Sequence, residues 1–219
     1  MLPQNLGPVE VRVLGSLIEK ELATPDHYPL SLNALVNACN QATNRDPVTS
    51  LSESEVMGAV DALRRLGLVR SFQGSGERVP KFQHLLADAE ELGRAERAVL
   101  GVLLLRGPQT LAEIRTRSAR LIGSDDEAVA DAALEALIAR SPAPAAKRLP
   151  RRAGQKELRH VHLLAGDVDE EFVMPSEPER RVEESAPDRI AMLEEEVREL
   201  RSEVAELRTQ LESFRNQFE

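Results

Sequence analysis

Twelve residues near the N-terminus recur 86 positions later. Leu6-Gly-Pro-Val-Glu-Val-Arg-Val-Leu-Gly-Ser-Leu17 aligns with Leu92-Gly-Arg-Ala-Glu-Arg-Ala-Val-Leu-Gly-Val-Leu103, identical at seven of twelve positions. A second match, at an offset of 78, pairs Lys81-Phe-Gln-His-Leu-Leu-Ala87 with Arg159-His-Val-His-Leu-Leu-Ala165. The copies start and end alike, and the second is eight residues shorter in its middle. Such a chain is expected to fold as two versions of one small unit, residues 1–89 and 90–166.

Each copy carries the same order of periodic segments. In the first, Val9, Val13, Leu14, Leu17, Ile18 and Leu22 have helical spacing after Pro8, a residue suited to a first helical turn. Thr24 to Pro29 breaks that helix, and a second is expected over 31–40. Ser52-x-x-Glu55 is a capping box that opens a third helix, which Gly67 ends. Residues 68–72 and 79–85 then read as strands joined through Gly74 to Glu77. The second copy places helices near 94–106, 109–121 and 125–140 and strands near 145–149 and 158–164. Three helices and a β-hairpin, twice, predict a mainly α fold with small β-hairpins: tandem winged helix-turn-helix domains.

Beyond the repeats, residues 167–187 read as an acidic linker. Residues 188–219 carry heptads. Ile190, Val197, Val204 and Leu211 recur every seven residues, as do Leu193, Leu200, Leu207 and Phe214. That seam predicts a C-terminal coiled-coil helix and a parallel homodimer, because β-branched residues at a with Leu at d favour two strands.

Several stretches are familiar as well as periodic. Tyr28-Pro-Leu-Ser-Leu-Asn33, Ala38-Cys-Asn-Gln41 and Thr43-Asn-Arg-Asp-Pro-Val48 resemble the signature of the YceH-like family of uncharacterised bacterial proteins. Leu51-Ser-Glu-Ser-Glu-Val56, Leu103-Leu-Leu-Arg-Gly-Pro-Gln-Thr110 and the terminal heptads extend the likeness over nearly the whole chain. The resemblance implies a tandem winged-helix fold, and it implies no established activity.

The net charge of −9 divides unevenly: −2 over residues 1–89, +3 over 90–166 and −10 over 167–219. The two repeats together are near neutral, so repulsion from nucleic acid does not follow from the total. The longest apolar run, Ala98 to Leu105, is far shorter than the ~20 residues a membrane span needs. No targeting segment is expected at the N-terminus. Cys39 stands alone, which excludes an internal disulfide and fits a reducing cytoplasm.

Candidate nucleic-acid contacts are Arg45 in the 40–47 loop, Arg78 and Lys81 at the first wing, and Arg151, Arg152 and Lys156 in the second. Wings reach phosphates or the minor groove. The helices that would enter a major groove begin instead with Glu53 and Glu55, and with Asp125, Asp126 and Glu127. Such acids suit a helix N-terminus and oppose phosphate. In the 40–47 loop, Asn and Asp also build turns, and Asp46 beside Arg45 points to a local ion pair. No enzyme, metal or cofactor is expected. Cys39 lacks the setting of a nucleophile, His160-x-His162 lacks further ligands, and Gly74-x-Gly76 lacks the Lys of a phosphate loop. The expected function is a DNA-binding or transcription-associated regulator whose basic wings meet phosphate. The alternative is a protein-interaction adaptor that uses its winged helices as docking modules.

Overall fold

All seven identities of the repeated dodecapeptide have a structural job. In a computed structural model, which describes residues 2–73, 79–89, 92–151 and 157–167, helix α1 spans Pro8–Ala23. Its N-cap is Gly7, whose N–H is accepted by the Glu10 carboxylate at 2.8 Å. The corresponding helix of the second repeat begins at Gly93, with Glu96 accepting at 2.6 Å. A glycine cap with Glu three residues on is thus used twice, and it occupies an otherwise unpaired backbone donor. Leu6 and Leu92, just before the caps, are buried, as are Val13, Leu14 and Leu17 and their counterparts Val99, Leu100 and Leu103.

After α1 come β1 (Leu30–Ser31), α2 (Leu32–Cys39), α3 (Glu53–Arg65), β2 (Val69–Phe72) and β3 (Lys81–His84). A short helix α4 (Leu86–Ala89) leads to the second repeat: α5 (Arg94–Arg106), β4 (Gln109–Thr110), α6 (Leu111–Ile122), α7 (Glu127–Ala139), β5 (Ala146–Leu149) and β6 (Arg159–His162). The Ser52 hydroxyl accepts the Glu55 N–H at 3.3 Å while the Ser52 N–H donates to Glu55 at 2.8 Å, the reciprocal box expected for α3. Gly67 follows at φ 71°, where a side chain would be strained.

Each repeat closes a three-stranded antiparallel sheet, ordered β1-β3-β2 in the first and β4-β6-β5 in the second. The two-residue strands β1 and β4 were not expected from sequence. They are too short to show an alternation, and pairing with the hairpin rather than propensity makes them strands.

Both repeats lie within one compact unit, residues 1–172, and their apolar residues form one continuous core. Leu14, Leu17, Leu35, Leu63 and Phe82 contribute from the first repeat, and Leu100, Leu103, Ile114, Leu134 and Leu137 from the second. The join is the crossing of α1 on α5, and the repeated glycine makes it close. A Cβ added to Gly15 would lie 3.0 Å from Leu104 Cβ, and one added to Gly101 would lie 3.0 Å from Ile18 Cγ2. Equivalent glycines at a near-symmetric crossing let the helix backbones approach. The Leu6 N–H also donates to Leu164 O at 2.8 Å, so the start of the first repeat binds the end of the second. The heptads and almost all of the acidic linker lie outside the described residues. Among the described residues, no helix is long and apolar enough to cross a membrane.

Candidate interaction surfaces

Three polar residues, Arg12, Ser16 and Glu19, descend one face of α1 and are buried. The 38–47 segment packs on that face. Arg45 points inward with its side chain fully buried; its Nη1 and Nη2 donate to the two Glu19 oxygens at 3.2 and 2.6 Å. Its remaining donors reach Ala38 O, Asn44 O and the Gln41 side chain. The ion pair foreseen with Asp46 is therefore made with Glu19, 26 residues upstream. Arg12 donates to Cys39 O at 3.3 Å and to Pro47 O at 2.5 Å. Burial, then the neighbouring Arg45, lowers its pKa from the ordinary arginine value. Asn40 pairs with both backbone groups of Leu51. The Asp46 N–H donates to Leu105 O at 3.0 Å, and Arg106 donates to the Asn44 side chain at 3.1 Å. The polar loop thus binds to α5 of the other repeat.

Cys39 is fully buried, and burial pushes its thiol pKa up. A second polar group joins the repeats at the other end of α1. His84 Nε2 lies 3.0 Å from a Glu21 oxygen that also accepts Arg97 Nε at 3.1 Å. The Leu86 N–H donates to His84 Nδ1, which places the ring proton on Nε2, facing Glu21. The Tyr28 hydroxyl accepts the His84 N–H at 2.7 Å, and burial raises the phenol pKa. Sequence reading missed both networks. The i, i+4, i+7 spacing of Arg12, Ser16 and Glu19 on an apolar helix was the available signal for the first.

The basic residues expected at the surface fall into three groups. Arg78, Arg152 and Lys156 lie outside the described residues. Arg151 is exposed and Lys81 is half-buried on β3. Arg45, as shown, is interior. On the second repeat, Arg115 grips Asp131 with two nitrogens at 2.5 and 2.7 Å and reaches Glu127 at 2.7 Å, tying α6 to α7. Arg117 meets Glu113 at 3.1 Å, and Arg148 meets Glu135. Glu53 and Glu55 stand exposed at the start of α3, and Asp126 caps α7 by accepting the Ala128 N–H at 3.0 Å.

His160 and His162 share one face of β6 and are both buried. Burial pushes His162 down to about 4, and His160 in the same direction, so both rings are neutral near pH 7. Neither Nδ1 has a hydrogen-bond partner among the described residues. Among those residues no three His, Cys, Asp or Glu side chains gather as a metal site.

Residues 6–155 match the family described as "Protein of unknown function, DUF480". A UPF0502 protein of Geobacter sulfurreducens is 51% identical over 198 residues, covering 89% of this chain and 90% of that one. A UPF0502 protein of Aeromonas hydrophila is 46% identical over 199 residues, covering 89% and 91%. One from Opitutus terrae is 50% identical over 171 residues, covering 78% and 74%.

Proposed function

The chain belongs to this DUF480 family of uncharacterised bacterial proteins, and from that premise we propose that it is a non-enzymatic protein-docking adaptor. In this reading the two repeats are tandem winged helices of the YceH-like kind. The C-terminal heptads pair two chains in the cytoplasm. The observation that carries the reading is charge pairing on the second repeat. Arg115, Arg117 and Arg148 are each matched by a carboxylate of the same repeat, so a phosphate backbone would have to displace them. The third helices add acids where a groove-reading helix needs cations. Among the described residues, the exposed large apolar side chains are Val48, Leu66, Phe72 and Val79, all on the first repeat, which supports a protein partner there.

A second reading rests on one observation. Arg120 and Arg151 are exposed with no partner among the described residues, and Arg151 begins the basic wing sequence, so a phosphate contact led by that wing is the alternative. Two measurements separate the readings. Anisotropy titrations of the full chain on random duplex DNA at physiological salt are expected to give Kd weaker than ~10 μM, within the non-specific range. Capture of the native protein with nuclease treatment is expected to retain a stoichiometric protein partner. Sub-micromolar DNA binding that falls steeply with salt would overturn the adaptor reading.

A further inference from the structure

The internal repeat supplies two versions of one surface. In the first sheet Phe72 stands opposite Lys81 and Arg70 opposite Gln83; in the second, Leu149 stands opposite Arg159 and Lys147 opposite Val161. Since Lys81 aligns with Arg159, Phe72 corresponds to Leu149, Arg70 to Lys147 and Gln83 to Val161. Strand alternation puts these side chains on the outer faces, away from the core-facing Phe82 and His84 and from His160 and His162.

The two faces differ in one respect. On the second sheet Leu149 and Val161 are only 6% and 3% exposed, although both stand apart from the continuous core, and Lys147 is paired with Asp167. Asp167 opens the acidic segment Asp-Val-Asp-Glu-Glu-Phe-Val-Met174. On the first sheet Phe72 is 51% exposed and Val79, two residues before Lys81, is 53% exposed. From Ala62 to Gln73 the chain holds three arginines and no carboxylate. Of these, Arg64 pairs with Asp61, Arg70 faces the Gln83 amide, and Arg65 is exposed. The second sheet thus shows, within the chain, the chemistry that matches this face: a carboxylate on the β5 cation beside covered aliphatic side chains.

We propose that the outer face of the first sheet, formed by Arg70, Phe72 and Gln83, docks a peptide segment with carboxylates beside an aromatic or aliphatic anchor. Phe72 gives the anchor an apolar seat, and Arg70 meets its carboxylates as Lys147 meets Asp167. The inference rests on the docking reading above and names the partner's chemistry. The phosphate backbone of a duplex offers the cations a matching charge but no apolar group for Phe72, so a contact led by phosphate is the weaker fit.

The test is fluorescence anisotropy on the full chain with a labelled synthetic peptide of residues 167–174 as probe. Saturable binding is expected, weakened at least ~10-fold by Phe72→Ser, by Arg70→Glu, and by exchanging the peptide's acids for amides. Both changed positions are exposed, and an unaltered thermal midpoint confirms the fold. Absence of saturable binding, or binding indifferent to both substitutions, would overturn the site. Displacement of the peptide by duplex DNA, with DNA binding lost in Phe72→Ser, would overturn the site and the adaptor reading together. If the Phe72→Ser chain binds no less peptide and still retains a nuclease-resistant partner, only the site fails.

Discussion

Arg45 shows how a residue that reads as a phosphate clamp becomes part of the interior. Its guanidinium is matched by Glu19 and by backbone oxygens, so removing it strands a mostly buried carboxylate. Arg45→Met is expected to cost about 3–5 kcal/mol, while pairing it with Glu19→Met recovers much of that loss, because the unpaired charge is gone. Urea unfolding of the two single variants and the double variant measures this; an unaffected Arg45→Met chain would return the residue to the candidate contacts. His162 makes a prediction about pH. Its folded pKa of about 4 lies below the ordinary histidine value, so the unfolded chain binds the proton first as pH falls. Stability tied to this neutral ring is complete above the unfolded pKa, near 6.5, and drains as pH falls towards 4. Between pH 7 and pH 5 the loss from His162 alone is about 2 kcal/mol. His160 is shifted in the same direction, so the comparison must be with His162→Leu, whose unfolding free energy should change less over that interval. Equal acid sensitivity of the two proteins would contradict the assignment.

The element scale is where glycines separate close packing from open surface. Gly15 and Gly101 sit where α1 crosses α5, with neighbours 3.0 Å from an added Cβ, whereas Gly58 lies on the exposed face of α3 with nothing within 4 Å. Alanine at Gly101 is expected to overpack the crossing and cost about 1–3 kcal/mol. The same change at Gly58 should stabilise by about 0.5–1 kcal/mol, because an exposed helix interior favours alanine. Thermal midpoints that move in the same direction for both would refute the crossing geometry. The repeated Leu-Gly-x-x-Glu-x-x-Val-Leu-Gly-x-Leu makes this helix legible in the sequence, since caps and core faces are local patterns. What those patterns do not carry is partner identity. Arg45 with Glu19, and His84 with Glu21 and Arg97, join residues 26, 63 and 76 positions apart, and no local rule links them. The strands β1 and β4 escaped for a related reason, being defined by the strand they pair with. The charge reversal at the start of α3 and α7 was legible, because a helix dipole explains acids there whatever the helix later meets.

At the scale of the whole molecule, one shared core makes the two repeats depend on each other. Leu6 binds Leu164 O, the 40–47 loop binds α5, and Arg97 reaches Glu21, so separating residues 1–89 from 90–166 would expose the α1–α5 seam. A second level of assembly is expected between chains, from the heptads of residues 188–219, which lie outside the described residues. Ile190, Val197, Val204 and Leu211 at a, with Leu193, Leu200, Leu207 and Phe214 at d, make an uninterrupted seam. In a coiled coil, β-branched a positions with Leu at d, as the first three heptads have, would favour two parallel strands. A parallel pair sets Glu196 against Arg201 of the partner subunit and Glu203 against the partner's Arg208, whereas an antiparallel pair sets Arg201 against Arg208 and forfeits both. Two chains would also present two copies of the first sheet, so a weak peptide site gains effective concentration on a partner that carries two such segments. Light scattering at micromolar concentration is expected to give a dimer for the full chain and a monomer for a chain ending at Glu179. Cysteine introduced at Leu193 should then cross-link to itself and not to a cysteine at Leu211. A monomeric full chain, or a dimer that survives the truncation, would remove the heptads as its cause.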